Sequence, residues 1–228
     1  MTGDFCQHCG RPVQIARVDW HYVVHEIQHV LHFEKGILHT VKELLHNPGP
    51  SIHTFITVDR SRLVKPVLFI IVTSLIYSMI DHFFHIEQGY IDYHDAKDSA
   101  TAQILSWVQN HYGYANIIMC VFIAFWLKLI YSAHDYNFFE ILILLCFVMG
   151  MGMLILSVFA IFEGLTGLPA MKISGVLSVA YCTWAIGHFF DRKRAVGYLK
   201  ALASYLLGMV TFTFSVLLVG FLVDLMRS

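Results

Sequence analysis

Two cysteines lie three positions apart near the start of the chain, in the stretch Phe5-Cys6-Gln7-His8-Cys9-Gly10. Two thiolates at this spacing, followed by a glycine that lets the backbone fold over an ion, form one half of a zinc ribbon. A structural zinc site needs four ligands, and the sequence contains no second Cys-x-x-Cys. We therefore expect a structural Zn²⁺ on Cys6 and Cys9, completed by side chains of the same chain or by the cysteine pair of a second chain. The candidates in the same chain are His8, His21 and His25. The alternatives are a reduced, metal-free dithiol and, with less support, a redox pair.

Histidines dominate one face of the segment that follows. At about 100° per residue, a helix over residues 19–46 places its apolar side chains on one side and a stripe of imidazoles on the other. This stripe contains His21, His25, His32, His39 and His46. The pattern predicts an amphipathic helix, bent near Gly36, that lies along a membrane surface or packs on a partner helix. Three roles are open for these imidazoles. They are solvated surface side chains, they bind a metal ion, or they gain charge as the pH falls to about 6.

The stretch Asn47-Pro48-Gly49-Pro50 predicts the end of that helix. Pro48 disfavours helical geometry at the preceding residue, and Gly49 can turn the chain. Pro50 suits the first turn of a short helix ending near Thr57. We therefore divide the chain into a metal-capable head (1–18), amphipathic interfacial helices (19–65) and a transmembrane domain (66–228).

The composition of the whole chain is too apolar for a water-soluble protein. Hydrophobic residues make up 57% of the 228 and charged residues 14%, with a mean hydropathy of +0.63; soluble domains carry about 25% charged residues. Five apolar runs approach the ~20 residues that span a bilayer. They cover residues 66–86, 114–132, 139–162, 171–190 and 202–224. The sequence therefore predicts an all-α, polytopic membrane protein with the lipid bilayer as its main partner.

Basic residues predict the orientation of these spans. Seven of the fifteen Lys and Arg precede residue 66, and a further group follows the fourth span at residues 192–200. Basic residues favour the cytoplasmic side of a membrane, which predicts a cytoplasmic N-terminus, an external loop at 87–113 and a periplasmic C-terminus. The same distribution, with a net charge of −1, argues against nucleic-acid binding.

Other polar groups lie at the ends of the predicted spans. His82, His85 and Glu87 form a second metal-capable set or a polar rim. Lys128 could pair with Asp135 or Glu140, or extend to the membrane surface. The single cysteines Cys120, Cys146 and Cys182 are interpreted as small apolar packing residues. In the run Met149-Gly150-Met151-Gly152-Met153 the glycines predict close helix packing.

One part of the chain resembles a known family. The resemblance combines the Cys-x-x-Cys-Gly head, the run from Gly36 to Gly49 with its Gly-Thr-Leu-Pro-Gly order, and the residues that lead to Pro66. These features are similar to a bacterial membrane-protein family catalogued as a domain of unknown function. Where that family has Gly-Lys-Arg before its first span, this chain has Val58-Asp59-Arg60. The resemblance implies a cytoplasmic head, several membrane helices and the bacterial inner membrane, and it implies no activity.

Three functions remain open from the sequence. The first is a homo-oligomeric assembly or binding module with a zinc-stabilised head that meets a cytoplasmic protein partner. The second is a transporter or channel for a small solute or metal ion, although the sequence shows no inverted repeat. The third and least supported is a membrane metalloenzyme, because His-His doublets, Gly-x-Ser-x-Gly and glycine-rich phosphate loops are all absent. We expect no catalytic site.

Overall fold

The computed structural model describes residues 36–86 and 99–227, which form eight α-helices and no strand. Short turns connect the helices, except where residues 87–98 separate the third from the fourth. The helices are α1 (Ile37–His46), α2 (Pro48–Thr57), α3 (Pro66–Phe84), α4 (Ala100–Asn110), α5 (Tyr112–Ile130), α6 (Phe138–Thr166), α7 (Met171–Phe190) and α8 (Ala195–Arg227).

Five of these helices, α3, α5, α6, α7 and α8, are long and apolar enough to cross a membrane. The predicted all-α fold with five spans is therefore confirmed. Proline fixes the start of α3, because Pro66 occupies a position whose N–H has no acceptor within the helix. The structure extends α6 to Thr166 and α8 to Arg227, a few residues beyond the predicted spans.

Helix α6 lies at the centre of the bundle. Asn137 and Glu140 form a reciprocal capping box at its start, and Gly167, with φ 71°, ends it in the left-handed conformation. Every residue from Ile143 to Met153 is buried, because α3, α5 and α7 pack around this stretch. Helix α8 covers α5 and α7 and exposes a long apolar face.

Glycines bring these helices close together. A Cβ at Gly150 would lie 2.7 Å from the Phe69 ring, and one at Gly208 would lie 2.6 Å from the Ile123 backbone. Lipid tails are as apolar as the side chains, so association of membrane helices depends on such close packing. The glycines of the Met-Gly run in α6 therefore pack helices together, as the sequence predicts.

Helices α1 and α2 lie at one end of the bundle, which we call the head end; it also carries the turns 131–137 and 191–194. The opposite, far end carries the turn 167–170 and the start of α4. Of the helix predicted over residues 19–46, the described part is α1 (Ile37–His46), which the extended Gly36, with ψ 135°, precedes; residues 19–35 lie outside the described residues. The prediction that Gly49 turns the chain is wrong: α2 begins at Pro48, and Asn47 alone separates the two helices.

Candidate functional site

A carboxylate at the head end joins three segments. One oxygen of Glu43, on α1, accepts hydrogen bonds from the Ser51 hydroxyl on α2 and the Arg62 guanidinium in the following loop, each at 3.0 Å. Partial burial acts to raise the pKa of Glu43, but the Ser51 bond and the Arg62 charge outweigh it and lower the pKa. Glu43 is therefore ionised at neutral pH and holds α1, α2 and the loop in one arrangement.

Two further hydrogen bonds fix α1. The hydroxyl oxygen of Thr40, which is fully buried, accepts from the backbone N–H of Val64 at 3.0 Å. The Tyr181 hydroxyl, on α7, donates to the carbonyl of Leu44 at 2.9 Å. These bonds connect α1 to the loop before α3 on one side and to α7 of the bundle on the other.

The start of α2 packs directly against the end of α7. The N–H of Gly49 donates to Nδ1 of His188 at 3.3 Å, which satisfies a helix-terminal donor that Asn47 leaves uncapped. Nδ1 must therefore be unprotonated. A Cβ at Gly49 would lie 2.6 Å from the His188 carbonyl carbon, so only glycine permits this approach. Trp184 stacks on the His188 ring at 5.6 Å and fixes its orientation.

We call this set of contacts the clasp. It consists of Thr40, Glu43, Leu44, Gly49, Ser51, Arg62 and Val64 with their partners Tyr181 and His188. Aromatic packing continues it into the bundle, because the Phe147 ring of α6 contacts Phe55 of α2 at 5.2 Å and Phe69 of α3 at 5.9 Å. The clasp therefore attaches the segment that precedes α3 to both α6 and α7.

A second polar cluster joins the two turns of the head end. The Tyr131 hydroxyl donates to the carbonyl of Gly197, and its ring stacks on Phe190 at 4.2 Å. Burial and, secondarily, the charge of Asp191 raise the pKa of Tyr131, so its hydroxyl remains a donor. Nε2 of His134 contacts the carbonyl of Phe190 at 3.1 Å. This cluster holds the turn between α5 and α6 against the turn between α7 and α8.

At the far end, acidic side chains cap helices to which they do not belong. Glu163, near the end of α6, accepts from the N–H of Met171, the first residue of α7, at 2.8 Å. Asp224, near the end of α8, accepts from the N–H of Ala100, the first residue of α4, at 2.6 Å. A carboxylate at a helix N-terminus satisfies a free donor and complements the helix dipole.

The three single cysteines are buried in one hydrophobic core, as expected of small apolar packing residues. They lie on three neighbouring helices, Cys120 on α5, Cys146 on α6 and Cys182 on α7. The Cys182 thiol donates a hydrogen bond to the carbonyl of Val148 on α6, with an Sγ–O distance of 3.8 Å. All three thiols are free and buried.

The predicted metal ligands fall mostly outside the described residues. Cys6, His8, Cys9, His21, His25 and Glu87 all lie in residues 1–35 and 87–98. His82 and His85 are described; both are exposed, and their ring centroids are 6.0 Å apart. Within residues 36–86 and 99–227, no group of three or more His, Cys, Asp or Glu side chains is arranged to hold a metal ion. The zinc site therefore remains a prediction.

The predicted polar set at the head end has partners of its own. Lys128 donates to the backbone carbonyl of Tyr136 at 2.7 Å. The Glu140 carboxylate is buried and accepts from the N–H of Asn137 at 2.8 Å as part of the capping box. Asp135 is exposed in the same turn. These contacts give Lys128 and Glu140 roles in ordering the turn before α6.

Sequence reasoning did not single out His188 or Tyr181 as partners of the head-end helices. The one indication of this contact in the sequence was Gly49, between Pro48 and Pro50. A glycine there indicates an unusual backbone position, but it does not identify the residue that the backbone contacts. Gly49 and His188 are 139 residues apart in the chain. Only the tertiary fold brings them together.

Comparisons with known proteins agree with this picture. No curated protein and no solved structure matches the chain. Residues 34–78, which contain α1, α2 and two thirds of α3, match the model of a family described as "Protein of unknown function (DUF3667)". The match excludes the Cys-x-x-Cys motif and includes every clasp residue that precedes α3. Over residues 34–78 the chain is therefore similar to a family of unknown function, as the run from Gly36 to Gly49 predicts.

Proposed function

We propose that this protein is an oligomeric assembly or binding module of the bacterial inner membrane, with a zinc-stabilised head on the cytoplasmic side. The clasp is the observation that carries the proposal. It fixes α1 and α2, the helices that precede the first membrane-spanning helix, to the end of a five-helix bundle. Helices α1 and α2, held in this way, form a fixed surface at the head end, which a docking platform for a protein partner requires.

The packing of the bundle favours a role as a docking platform and argues against a pore through a single chain. The central stretch of α6, from Ile143 to Met153, is buried on all sides, and the rings of Phe55, Phe69 and Phe147 fill its head-end half. A path for ions through a single chain would have to displace these side chains. Transport therefore remains the alternative only for an assembly of several chains.

Zinc supports the head in this proposal. Cys6 and Cys9 supply two thiolates, and the remaining ligands come from His8, His21 or His25, or from the cysteine pair of a second chain. The second arrangement would couple zinc binding to homo-oligomerisation. Both arrangements place the metal in the reducing cytoplasm, where thiols persist without forming disulfides.

Metal analysis of the full-length protein in detergent tests this proposal. We expect a zinc-to-chain ratio of about one if histidines complete the site, and about one half if two chains share it. The double variant Cys6→Ser/Cys9→Ser should lose the zinc, whereas His82→Ala/His85→Ala should retain it. Molar mass from light scattering should fall on loss of the thiols only for the shared site. An unchanged zinc content in the double cysteine variant would refute the zinc-stabilised head.

A further inference from the structure

The turn between α7 and α8, residues 191–194, concentrates positive charge at the head end; we call it the basic turn. Arg192, Lys193 and Arg194 are consecutive, and all three are exposed. Asp191 supplies the one negative charge of the turn, so its net charge is +2. None of the three cations forms an ion pair or a side-chain hydrogen bond with the part of the chain that the structure describes. The basic turn therefore presents charge that those residues do not neutralise.

Hydrogen bonds hold the backbone of the basic turn in one conformation. The Tyr198 hydroxyl donates to the carbonyl of Arg192 at 3.2 Å. Just before the turn, Nε2 of His134 contacts the carbonyl of Phe190 at 3.1 Å. Because the backbone is fixed, the basic side chains leave it at defined positions. Less conformational freedom is then lost when they bind a ligand together.

An exposed apolar strip on α8 begins directly after the basic turn. Val196 and Leu199, in the first two turns of the helix, are 61% and 67% exposed. Leu206 and Val210 are also exposed and continue the apolar strip on the same side of the helix. The rise from Val196 to Leu206 is about 15 Å, which is half of a hydrocarbon core of ~30 Å. The apolar strip therefore has the length of one leaflet.

The order of charge and apolar surface matches that of a phospholipid. Helix α7 ends at Phe190 and the span of α8 begins at Ala195, so the basic turn lies where two spans end. Arginine binds phosphate through paired N–H groups, and lysine binds it as a point charge. The cations favour a lipid with a net negative charge over a zwitterionic lipid, whose own ammonium group they repel. Charge and shape therefore point to the same class of ligand.

We propose that the basic turn and the apolar strip form a binding site for one anionic phospholipid. The headgroup phosphate lies against the three basic side chains, and an acyl chain lies along the apolar strip. The site goes beyond the proposed assembly module and shares no residue with the predicted zinc head. Failure of the lipid site and failure of the zinc head are therefore separate results.

Native mass spectrometry of the full-length protein in detergent tests the site. Phosphatidylglycerol is the anionic probe, and phosphatidylethanolamine is the zwitterionic one. We expect about one bound phosphatidylglycerol per chain, with an affinity at least about 10-fold above that of phosphatidylethanolamine. Arg192→Gln/Arg194→Gln should weaken phosphatidylglycerol binding at least about 10-fold. Lys42→Gln/Lys172→Gln removes the same number of exposed charges elsewhere and should change the affinity less than about twofold.

Two further measurements separate a lipid from a free anion. Val196→Ser/Leu199→Ser keeps every charge and should weaken phosphatidylglycerol binding at least about threefold, because apolar contact is lost. Inorganic phosphate at the concentration of the lipid should not displace it.

A phosphatidylglycerol with a photoreactive acyl chain gives a readout that needs no substitution. Cross-linked to the wild type and mapped by peptide mass spectrometry, it should label α8 within residues 196–206. Melting temperatures show which variants fold. An equal loss of binding in Lys42→Gln/Lys172→Gln, equal affinity for the two lipids, displacement by inorganic phosphate, or cross-links confined to other helices would each overturn the site.

Discussion

The backbone N–H of Gly49 donates a hydrogen bond to Nδ1 of His188 at 3.3 Å, where the start of α2 meets the end of α7. The bond joins the family-matched segment to a part of the bundle that lies 139 residues away. It also requires a residue without a side chain at position 49. The packing of the head end therefore depends on a contact that a side chain at position 49 would disrupt.

Gly49→Ala should destabilise the protein by about 1–3 kcal/mol, because the added methyl group overlaps the backbone of His188 and Phe189. Gly36→Ala is the matched control, since no atom lies within 4 Å of a Cβ at Gly36. Thermal unfolding in detergent, followed by circular dichroism, measures both. Equal melting temperatures for the two variants would show that α2 does not pack on α7 as described.

Replacing His188 tests the acceptor itself. His188→Ala should cost about 1 kcal/mol for the lost hydrogen bond and leave the Gly49 amide without its acceptor. His188→Asn carries an oxygen near the position of Nδ1 and should recover part of that loss. Hydrogen exchange of α2 reports the difference: exchange should be fastest in His188→Ala. If His188→Asn exchanges as fast as His188→Ala, the imidazole acts by packing on Trp184 and the hydrogen bond is dispensable.

Glu43 makes the clasp sensitive to acid. Its pKa in the folded protein is lowered from the ordinary value of 4.5 by Ser51 and Arg62, against the opposing effect of burial. A depressed carboxyl pKa adds stability at pH values above the unfolded pKa, and this contribution disappears as the pH falls through the folded pKa. The wild type should therefore lose about 1 kcal/mol more than Glu43→Gln as the pH falls below about 4.5. Parallel stability curves for the two proteins over pH 3–6 would exclude this role.

Asp224 should hold α4 at the far end. Asp224→Ala removes the acceptor of the Ala100 N–H and should destabilise α4 by about 1 kcal/mol, with faster hydrogen exchange over residues 100–110. Asp224→Asn retains an oxygen acceptor and should behave more like the wild type. Exchange in α7, whose start is capped by Glu163, should be unaffected by either change and is the internal reference. Faster exchange in both helices would point to a general loss of packing.

The sequence predicted the membrane helices well, because hydropathy and length depend on local composition. Pro66 marked the start of α3, and the predicted fourth span matched α7 from Met171 to Phe190. The short helix before α3 was also predicted, ending near Thr57, where α2 ends. These features need no knowledge of which helices are neighbours.

Features that depend on helix register could not be predicted. Cys120, Cys146 and Cys182 look like isolated apolar residues in the sequence and share one buried core only because of how their three helices pack. Gly49 was interpreted as a turn for the same reason, since its partner is a backbone segment distant in sequence. For Lys128 the sequence left a carboxylate partner or extension to the membrane surface open; its hydrogen bond to the backbone carbonyl of Tyr136 is a contact that composition cannot reveal.

We propose that the five-helix membrane bundle presents its head end to the cytoplasm. Single cysteines at two exposed turn positions, Ser132→Cys at the head end and Leu168→Cys at the far end, test it in a Cys6→Ser/Cys9→Ser background. An impermeant maleimide applied to intact cells should label Leu168→Cys from the periplasm and should reach Ser132→Cys only after the inner membrane is opened. Labelling of Ser132→Cys in intact cells, with Leu168→Cys protected, would contradict the orientation and the cytoplasmic zinc head proposed with it.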